Sequence, residues 1–272
     1  MTDACTPQTV RGDDGAALTA CPHGGHVLGW VPAGGDERLW LSPTTRCGPG
    51  SAIRGGIPVI FPQFAARGPL PKHGVARDRA WTVAPAPSDG RGVARWSAVL
   101  VDDAATREVW PQRFRLALTA SAAGDRLDVR LDVEHTGREG DPPWTFTAAL
   151  HSYLAVSAGA RLHGLEGRDA EDNAAGGRAL LLPADPLEAL APRDVAVPGV
   201  RDVRLEDPQL GDLRLAAEGF GDRVVWNPGP GHGLADVPEG GEAGFVCVEA
   251  AALAPVTLRP GEVWTGRETL SV

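Results

Sequence analysis

The chain has little of what nucleic-acid or membrane binding requires. Its 272 residues include one lysine, Lys72, and the net charge is −9, so it lacks the clustered cations that displace counterions from nucleic acid. No apolar run is long enough to span a bilayer. The segment Met1–Cys5 has neither a basic nor an apolar stretch. We therefore expect a cytoplasmic protein that binds neither nucleic acid nor membranes.

Cysteine and metal-ligand patterns are also sparse. None of the four cysteines belongs to a C-x-x-C pair, and their spacing predicts neither a disulfide framework nor a zinc ribbon. His23 and His26 lack further ligands at suitable spacing, so we expect no metal site. The sequence also lacks the phosphate-binding loops of nucleotide enzymes and the G-x-S-x-G elbow of serine hydrolases. The cysteines are Cys5, Cys21, Cys47 and Cys247.

What the sequence does contain is alternation with a period of two. Leu127–Glu134 alternates apolar and charged residues without error, which predicts a half-buried strand. Phe114–Ala120 has the same rhythm, and Ala123–Asp125 between them predicts a hairpin turn. The 35 glycines and 24 prolines are spread through the chain as turn residues. We predict an all-β chain with one domain over residues 1–272, an antiparallel sandwich or barrel.

Further segments have the composition of strands, whereas helical signals are weak. The best helical candidate is Asp185–Ala191, which is short and bounded by prolines. Glu171–Arg178 has the composition of a polar loop. The other predicted strands are Val93–Val101, Trp144–Val156, Arg223–Trp226, Gly244–Ala250 and Pro255–Leu258.

Two segments combine basic residues with glycine. In the first, Arg54 precedes two glycines, and an arginine at such a turn can offer a planar fork of donors to phosphate or carboxylate. Taken alone, this segment favours the plainer interpretation, a turn into a buried strand with Arg54 in solvent. The second segment, PKHGVAR, contains His73 and Arg77, and an ordinary exposed loop is its alternative. The two clusters lie about twenty residues apart, which strengthens the functional interpretation.

Two apolar segments each carry one titratable residue. His151 interrupts Phe146–Leu154, where a lone histidine is more often a satisfied core residue than a catalyst. If it faces a pocket, however, its pKa near neutrality suits general acid catalysis. Glu249 ends the apolar run in Gly244–Ala251. Because an unpaired buried carboxylate is costly, Glu249 must be paired, hydrogen-bonded or in an active site, where a raised pKa suits a general base.

Six segments between Leu41 and Leu270 occur in the order found in one enzyme family. They resemble the glucose-6-phosphate 1-epimerases, also called D-hexose-6-phosphate mutarotases, a branch of the aldose 1-epimerase (galactose mutarotase-like) superfamily. Each motif alone is moderately specific, whereas all of them in order are strongly specific. The segments are IRGGIPVIFPQF, PKHGVAR, TAALHSYLAV, DRVVWNPG, FVCVEAA and LRPGEVWTGRETL.

The resemblance implies a large antiparallel β-sandwich with few short helices, the galactose mutarotase-like supersandwich, which binds sugar on a concave sheet face. It implies cofactor-independent interconversion of the α and β anomers of a hexose 6-phosphate, glucose 6-phosphate foremost. We expect the protein to act as a monomer with this small molecule as its partner. The implied catalytic residues are His151 as the protonated acid and Glu249 as the base.

The resemblance also implies a set of substrate-binding residues. Arg54 and Arg77 would contact the phosphate, and His73 would hydrogen-bond a sugar oxygen. Asp194, in PRDVAV, keeps the carboxylate of a sugar-binding segment whose other residues differ here. Gln63, which stands where the family often has tryptophan, completes the set.

Three other functions fit parts of the same pattern. A free-aldose mutarotase would use the same acid–base pair, and only the arginines argue against it. A non-catalytic carbohydrate-binding or sensor sandwich would need neither His151 nor Glu249 and would have no pH–rate profile. A purely structural β-domain would leave Glu249 unexplained.

Overall fold

Antiparallel β-strands make up nearly all of the regular structure in this computed structural model, which describes residues 4–86 and 92–272. Residues 1–3, part of the segment Met1–Cys5 discussed above, lie outside these ranges. In the described ranges, no helix is both long enough and apolar enough to cross a membrane. The helices there are α1 (Ala104–Val109) and a 3-10 turn at Gly241–Gly244.

The strands are short in most of the chain and longest near its C-terminal end. Those before residue 156 are β1 (Gln8–Arg11), β2 (Ala17–Cys21), β3 (His26–Val31), β4 (Val59–Ile60), β5 (Thr82–Ala84), β6 (Ala94–Val101), β7 (Phe114–Ala123), β8 (Arg126–His135), β9 (Trp144–Leu150) and β10 (Tyr153–Ala155). Those after it are β11 (Arg161–His163), β12 (Asp169–Asp172), β13 (Arg178–Leu181), β14 (Leu187–Glu188), β15 (Arg193–Pro198), β16 (Val203–Glu206), β17 (Leu213–Glu218), β18 (Asp222–Asn227), β19 (Phe245–Leu258) and β20 (Val263–Ser271).

Among the described residues, the strands form two large antiparallel sheets and one small one. The first large sheet has nine strands, in the order β14-β11-β16-β17-β20-β8-β7-β6-β5. The second has eight, in the order β13-β12-β15-β18-β19-β9-β4, with β10 also paired to β19. The small sheet contains β1, β2 and β3. This arrangement confirms the predicted all-β antiparallel fold.

The main hydrophobic core is built from one face of each large sheet. In β7 and β8 every second residue is buried, as Leu118 and Leu131 are, and the two strands are joined at residues 124–125 as predicted. In β19, Val248 and Ala250 belong to this core, so Glu249 between them lies on the opposite face. The outer face of the eight-stranded sheet therefore carries the candidate base.

The other predicted strands form with altered limits. Val93–Val101 and Arg223–Trp226 correspond to β6 and β18. Trp144–Val156 is broken into β9 and β10 by the two residues that follow Leu150. The two predicted strands near residues 244 to 258 are parts of the single strand β19, so Glu249 lies within a strand and does not end one.

Two local predictions are wrong, and one helix is unexpected. The segment predicted as a helix, Asp185–Ala191, contains β14, because Leu187 packs into the core and β14 pairs with β11. Glu171–Arg178 forms a hairpin with residues 173–177 as the turn between β12 and β13. The unexpected α1 begins at a capping box, in which the side chains of Asp103 and Thr106 each accept a hydrogen bond from the other's backbone N–H.

The expectation of no disulfide framework needs one correction, since Cys5 and Cys47 are joined. The bond ties the N-terminal segment to the loop that leads to Arg54. The spacing of 42 residues did not predict it, because pairing depends on distances that the fold sets. His23 lies beside this pair, but both sulfurs are in the disulfide, and a metal would need thiolates.

Gly56, in the turn after Arg54, has φ +61°, and a Cβ there would lie 2.2 Å from the carbonyl oxygen of Val27. Replacing Gly56 with alanine is therefore expected to lower the free energy of unfolding by about 2–5 kcal/mol, since positive-φ strain adds to a backbone clash. Gly124 is the matched control, because it has φ +56° and nothing within 4 Å of its added Cβ. Gly124→Ala should cost about 1 kcal/mol in urea unfolding. Equal losses for both variants would contradict the clash.

Candidate functional site

A cavity of about 750 Å³ opens on the outer face of the eight-stranded sheet. Its floor comes from β15, β18 and β19, and its walls come from the loops around β4 and from the β12–β13 turn. This size suits a small polar ligand such as a sugar. The lining residues are Arg54, Phe64, Ala65, Ala66, Arg67, Lys72, His73, Arg77, His151, Glu171, Asn173, Gly176, Gly177, Asp194, Trp226, Leu234 and Glu249.

His151 and Glu249 meet at the bottom of this cavity, with Nε2 of His151 3.3 Å from Oε1 of Glu249. Glu249 reaches the site because β19 alternates, and His151 does so because it lies at the break between β9 and β10. Both side chains are buried. Within the described structure, Oε2 of Glu249 and Nδ1 of His151 have no hydrogen-bond partner. Each member of the pair therefore has one buried polar atom that no described residue satisfies.

The environment of this pair favours uncharged forms. Burial raises the pKa of Glu249 well above its usual value, and the nearby carboxylates of Asp194 and Glu268 raise it further. Burial lowers the pKa of His151 well below its usual value, and the positive potential of Arg77 and its neighbours adds to this effect. Both shifts therefore act in the direction of a protonated Glu249 and a neutral His151.

Aromatic rings fix the imidazole of His151 on two sides. The ring of Tyr153 stacks on it with centroids 4.9 Å apart and planes at 10°. Trp226 presents an edge at 6.0 Å. His73 approaches from the loop after β4, with its centroid 5.7 Å from that of His151. The two histidines and the glutamate therefore face one small volume.

His73 is held in an unusual backbone conformation, with φ +68°. Its N–H donates to the carbonyl oxygen of Ala65 at 3.0 Å, and its Nδ1 accepts from the N–H of Ala65 at 3.3 Å. Burial and the neighbouring cations lower the pKa of His73 far below its usual value. The ring is therefore neutral with its proton on Nε2, which makes Nε2 a donor for a ligand oxygen.

Arg54 lines the cavity but already has protein partners. Its Nε donates to Oδ2 of Asp236 at 3.1 Å, and its Nη1 donates to the hydroxyl of Tyr153 at 2.9 Å. These contacts fix the guanidinium over the ring of Trp226, 5.9 Å from its centroid. The plainer interpretation of Arg54 as a solvated turn residue is therefore wrong.

Lys72 and Arg77 differ from Arg54 in this respect. No ion pair to either side chain occurs among residues 4–86 and 92–272. Arg77 is half-buried, and burial lowers its pKa. A half-buried guanidinium that forms no ion pair with the described residues favours an anionic ligand, because the carboxylates of Asp78 and Glu249 act on it only from a distance.

A chain of polar contacts crosses the mouth of the cavity. Nδ2 of Asn173 donates to Oδ1 of Asp194 at 2.7 Å, and Oδ1 of Asn173 accepts from Nη2 of Arg67 at 2.6 Å. Arg67 also pairs with Glu171 at 2.8 Å. These contacts connect the loop that carries His73 to the β12–β13 turn.

Most of the predicted site residues line the same cavity in the structure, and one of them does not. The predicted residues that line one cavity include His151, Glu249, Arg54 and His73. Gln63 does not line it, because its amide is used on the backbone of the same loop, with Nε2 donating to the carbonyl oxygens of Ala65 and Leu70. The remaining predicted residues in the cavity are Arg77 and Asp194.

Sequence reasoning missed several lining residues, and some had a detectable signal. Lys72, for example, precedes His73 in the same motif. Asp194, which the resemblance indicated, also has a local signal, because the alternation in β15 places it opposite the core residues Val195 and Val197. Asn173 had no local signal, because its contact with Asp194 depends on the pairing of β12 with β15. The carboxylates that line the cavity each contact a different side chain and do not form a group that could hold a metal ion. The group of that kind found in the described ranges lies outside the cavity lining.

The chain combines an antiparallel β-fold with a buried histidine–glutamate pair in a cavity of about 750 Å³, an arrangement that suits acid–base chemistry on a small polar ligand. The sequence model of the aldose 1-epimerase family matches residues 8–177, and the chain belongs to that family. It is 32% identical, over 96% of its length and 83% of the relative's, to a Cenchrus ciliaris protein named "Putative glucose-6-phosphate 1-epimerase". An Escherichia coli K12 protein of the same name is 35% identical, over 84% and 77% of the two chains.

Solved structures agree with this assignment. A Salmonella typhimurium protein described as a "putative mutarotase" superposes with a TM-score of 0.83 at 27% identity. The match covers 94% of this chain and 86% of that one. The resemblance stated from the motifs is confirmed at the level of the family.

Proposed function

We propose that the protein interconverts the α and β anomers of a D-hexose 6-phosphate, glucose 6-phosphate foremost, without a cofactor. The observation that carries this proposal is a set of four cations around the His151–Glu249 pair, in a chain with a net charge of −9. The cations are Arg54, Arg67, Lys72 and Arg77. The names of the relatives support the same substrate class. We propose that it works as a cytoplasmic monomer.

The reaction requires one proton to leave the sugar and one to arrive. Glu249 takes the proton of the C1 hydroxyl while His151 gives a proton to the ring oxygen O5, and the C1–O5 bond breaks to leave an aldehyde. Rotation about C1–C2 presents the other face of the aldehyde, and the ring closes with the proton transfers reversed. The Nε2–H of His73 donates to a sugar oxygen and holds the open chain.

The pKa shifts favour the neutral form of the pair, and this form can still supply the proton that the reaction requires. A protonated Glu249 with neutral His151 has the same number of protons as a carboxylate with an imidazolium. Transfer across the 3.3 Å contact converts one form into the other without exchange with solvent. The form with the imidazolium is the one that acts on the sugar.

In this proposal the phosphate binds the cations that form no ion pair within the described ranges. Arg77 and Lys72 supply donors to the dianion, and charge-assisted hydrogen bonds of this kind are among the strongest available. Arg54 contributes the donors that Asp236 and Tyr153 leave open.

One observation favours a second candidate, a mutarotase for free aldoses. Arg54 is occupied by Asp236 and Tyr153, and Arg67 by Glu171 and Asn173, so half of the cations have existing partners. The same acid–base pair would then act on an unphosphorylated sugar held by Asp194.

Anomer exchange measured by NMR saturation transfer separates the two. We expect the protein to accelerate the exchange of glucose 6-phosphate well above its spontaneous rate, with little effect on free glucose or galactose. Acceleration of the free sugars alone would establish the second candidate. No acceleration of any sugar would contradict both and favour a non-catalytic carbohydrate-binding protein.

A further inference from the structure

A buried polar cluster lies inside the sandwich, on the core side of the strands that carry the His151–Glu249 pair. Arg223 and Glu268 form an ion pair there, and both are fully buried. The hydroxyl of Ser152 donates to Oε2 of Glu268 at 2.5 Å. Glu268 belongs to β20, Arg223 belongs to β18 of the other large sheet, and Ser152 lies at the break between β9 and β10, so the cluster bridges the two sheets.

Stability alone does not account for this cluster. Removing two charges from water is costly, and apolar residues of similar volume often give equal or greater stability. Arg223 is further fixed by its Nε and Nη2, which donate to the carbonyl oxygen of Arg201 at 3.2 and 2.7 Å. The cluster is therefore a rigid anchor, and Ser152 is the residue that connects it to the site.

Ser152 follows His151 at the break between β9 and β10. The two side chains point to opposite faces, with His151 in the cavity and Ser152 in the core. Backbone contacts secure the break, since the N–H of His151 donates to Pro58 at 3.0 Å and the carbonyl of Ser152 accepts from Val248 at 3.1 Å. The orientation of His151 thus depends on where the backbone of this dipeptide lies.

Apart from the contact between Nε2 and Glu249, the described residues provide the imidazole of His151 with no polar anchor. Catalytic histidines are commonly oriented by a hydrogen bond to the second ring nitrogen, but Nδ1 of His151 has no partner in the described part of the chain. Ring stacking on Tyr153 restrains tilting of the imidazole more than it restrains sliding in the plane of the ring. An anchor on the adjacent residue opposes that sliding.

We propose that Glu268, held by Arg223, positions His151 by anchoring the hydroxyl of Ser152, so that all three are positioning residues for the acid–base pair. This inference rests on the proposed function. It assigns a role to a buried carboxylate that the reaction itself does not use.

A second effect of Glu268 supports the same role. Its charge is one of the causes that raise the pKa of Glu249, so the buried carboxylate acts on both members of the pair. The charged and titratable groups that act on Glu249 from the elements around it are His151, Lys72, Arg77, Asp194 and Glu268.

The test is Ser152→Ala, with Ser152→Thr as the variant that restores the hydroxyl. We expect kcat for anomer exchange to fall about tenfold in Ser152→Ala with KM unchanged, because a small misplacement of a catalytic group is costly, and to recover in Ser152→Thr. The matched control is Ser157→Ala, which removes a similar hydroxyl-to-carboxylate bond, from Ser157 Oγ to Asp207 at 2.6 Å, outside the cavity lining. It should lose comparable thermal stability and keep its kcat.

A mutant cycle isolates the anchor from general packing. In an Arg223→Met/Glu268→Leu background, kcat should already be reduced, and adding Ser152→Ala should reduce it no further. A Ser152→Ala enzyme within twofold of wild type, when wild type is active, would overturn the inference and leave the proposed function standing.

An NMR readout keeps the inference testable without activity. The ring resonances of His151 should shift and broaden in Ser152→Ala, while those of His135, stacked on Trp144, should remain in place. If wild type exchanges no sugar anomers, the proposed function fails, and the His151 resonances alone decide whether Ser152 positions the ring. Unchanged resonances would overturn the positioning role.

Discussion

Replacing Glu249 with glutamine is expected to lower kcat for anomer exchange by about 10²–10⁴-fold and to change KM little. Glutamine preserves the shape of the side chain but cannot accept the C1 hydroxyl proton. It also cannot exchange a proton with His151. Because both Glu249 and His151 are buried, no solvent-exposed base can substitute at the same distance. Saturation transfer on glucose 6-phosphate measures the rate, and the dependence on sugar concentration gives KM.

The matched control for this variant is Glu37→Gln. The carboxylate of Glu37 accepts hydrogen bonds from the backbone N–H groups of Trp30 and Leu39 but does not line the cavity. It should keep its kcat even if its stability falls. A Glu249→Gln enzyme with more than about a tenth of the wild-type kcat would contradict the assignment of Glu249 as the base.

Replacing Arg77 with methionine is expected to raise KM for glucose 6-phosphate by about 10–100-fold, the range expected for hydrogen bonds to a charged group. Free glucose has no phosphate, so its kcat/KM should change little. Arg54→Ala should act in the same direction but less strongly, because Asp236 and Tyr153 already share its donors. Initial rates on both sugars provide the comparison.

Arg161→Met is the control for nonspecific effects of losing an arginine. Arg161 lies outside the cavity, 3.8 Å from the exposed carboxylate of Glu188. Neither sugar should respond to its removal. If Arg77→Met raises KM equally for the phosphorylated and free sugars, its guanidinium has a structural role, and the phosphate must be sought elsewhere.

Periodicity predicted the strands well where one face of a sheet is solvated. Leu127–Glu134 alternates because β8 has a core face and a solvent face. The same rule would have placed Asp194 in the cavity, since Val195 and Val197 face the core. Asp185–Ala191 was wrongly predicted as a helix, because the two residues of β14 are too few to display the period of a strand.

The site was less predictable than the sheets, because its contacts join distant parts of the chain. Arg54 contacts Asp236 and Tyr153, which lie 182 and 99 residues away from it in sequence. The substrate role expected for Gln63 depended on its position in a motif, and its hydrogen bonds to the backbone of its own loop argue for a structural one. The resemblance implied that His151 and Glu249 act as a pair. Local patterns indicated only that each is a titratable residue in an otherwise apolar segment.

The position of Lys72 has a practical consequence for any work that immobilises or labels this protein. Its Nζ is the one side-chain amine in the sequence, and Lys72 lines the cavity. Coupling reagents directed at primary amines would therefore attach at the rim of the binding site or at the α-amino group. A sensor surface prepared by amine coupling would mask the pocket it was meant to probe, whereas a fluorophore on Lys72 would report directly on its occupancy.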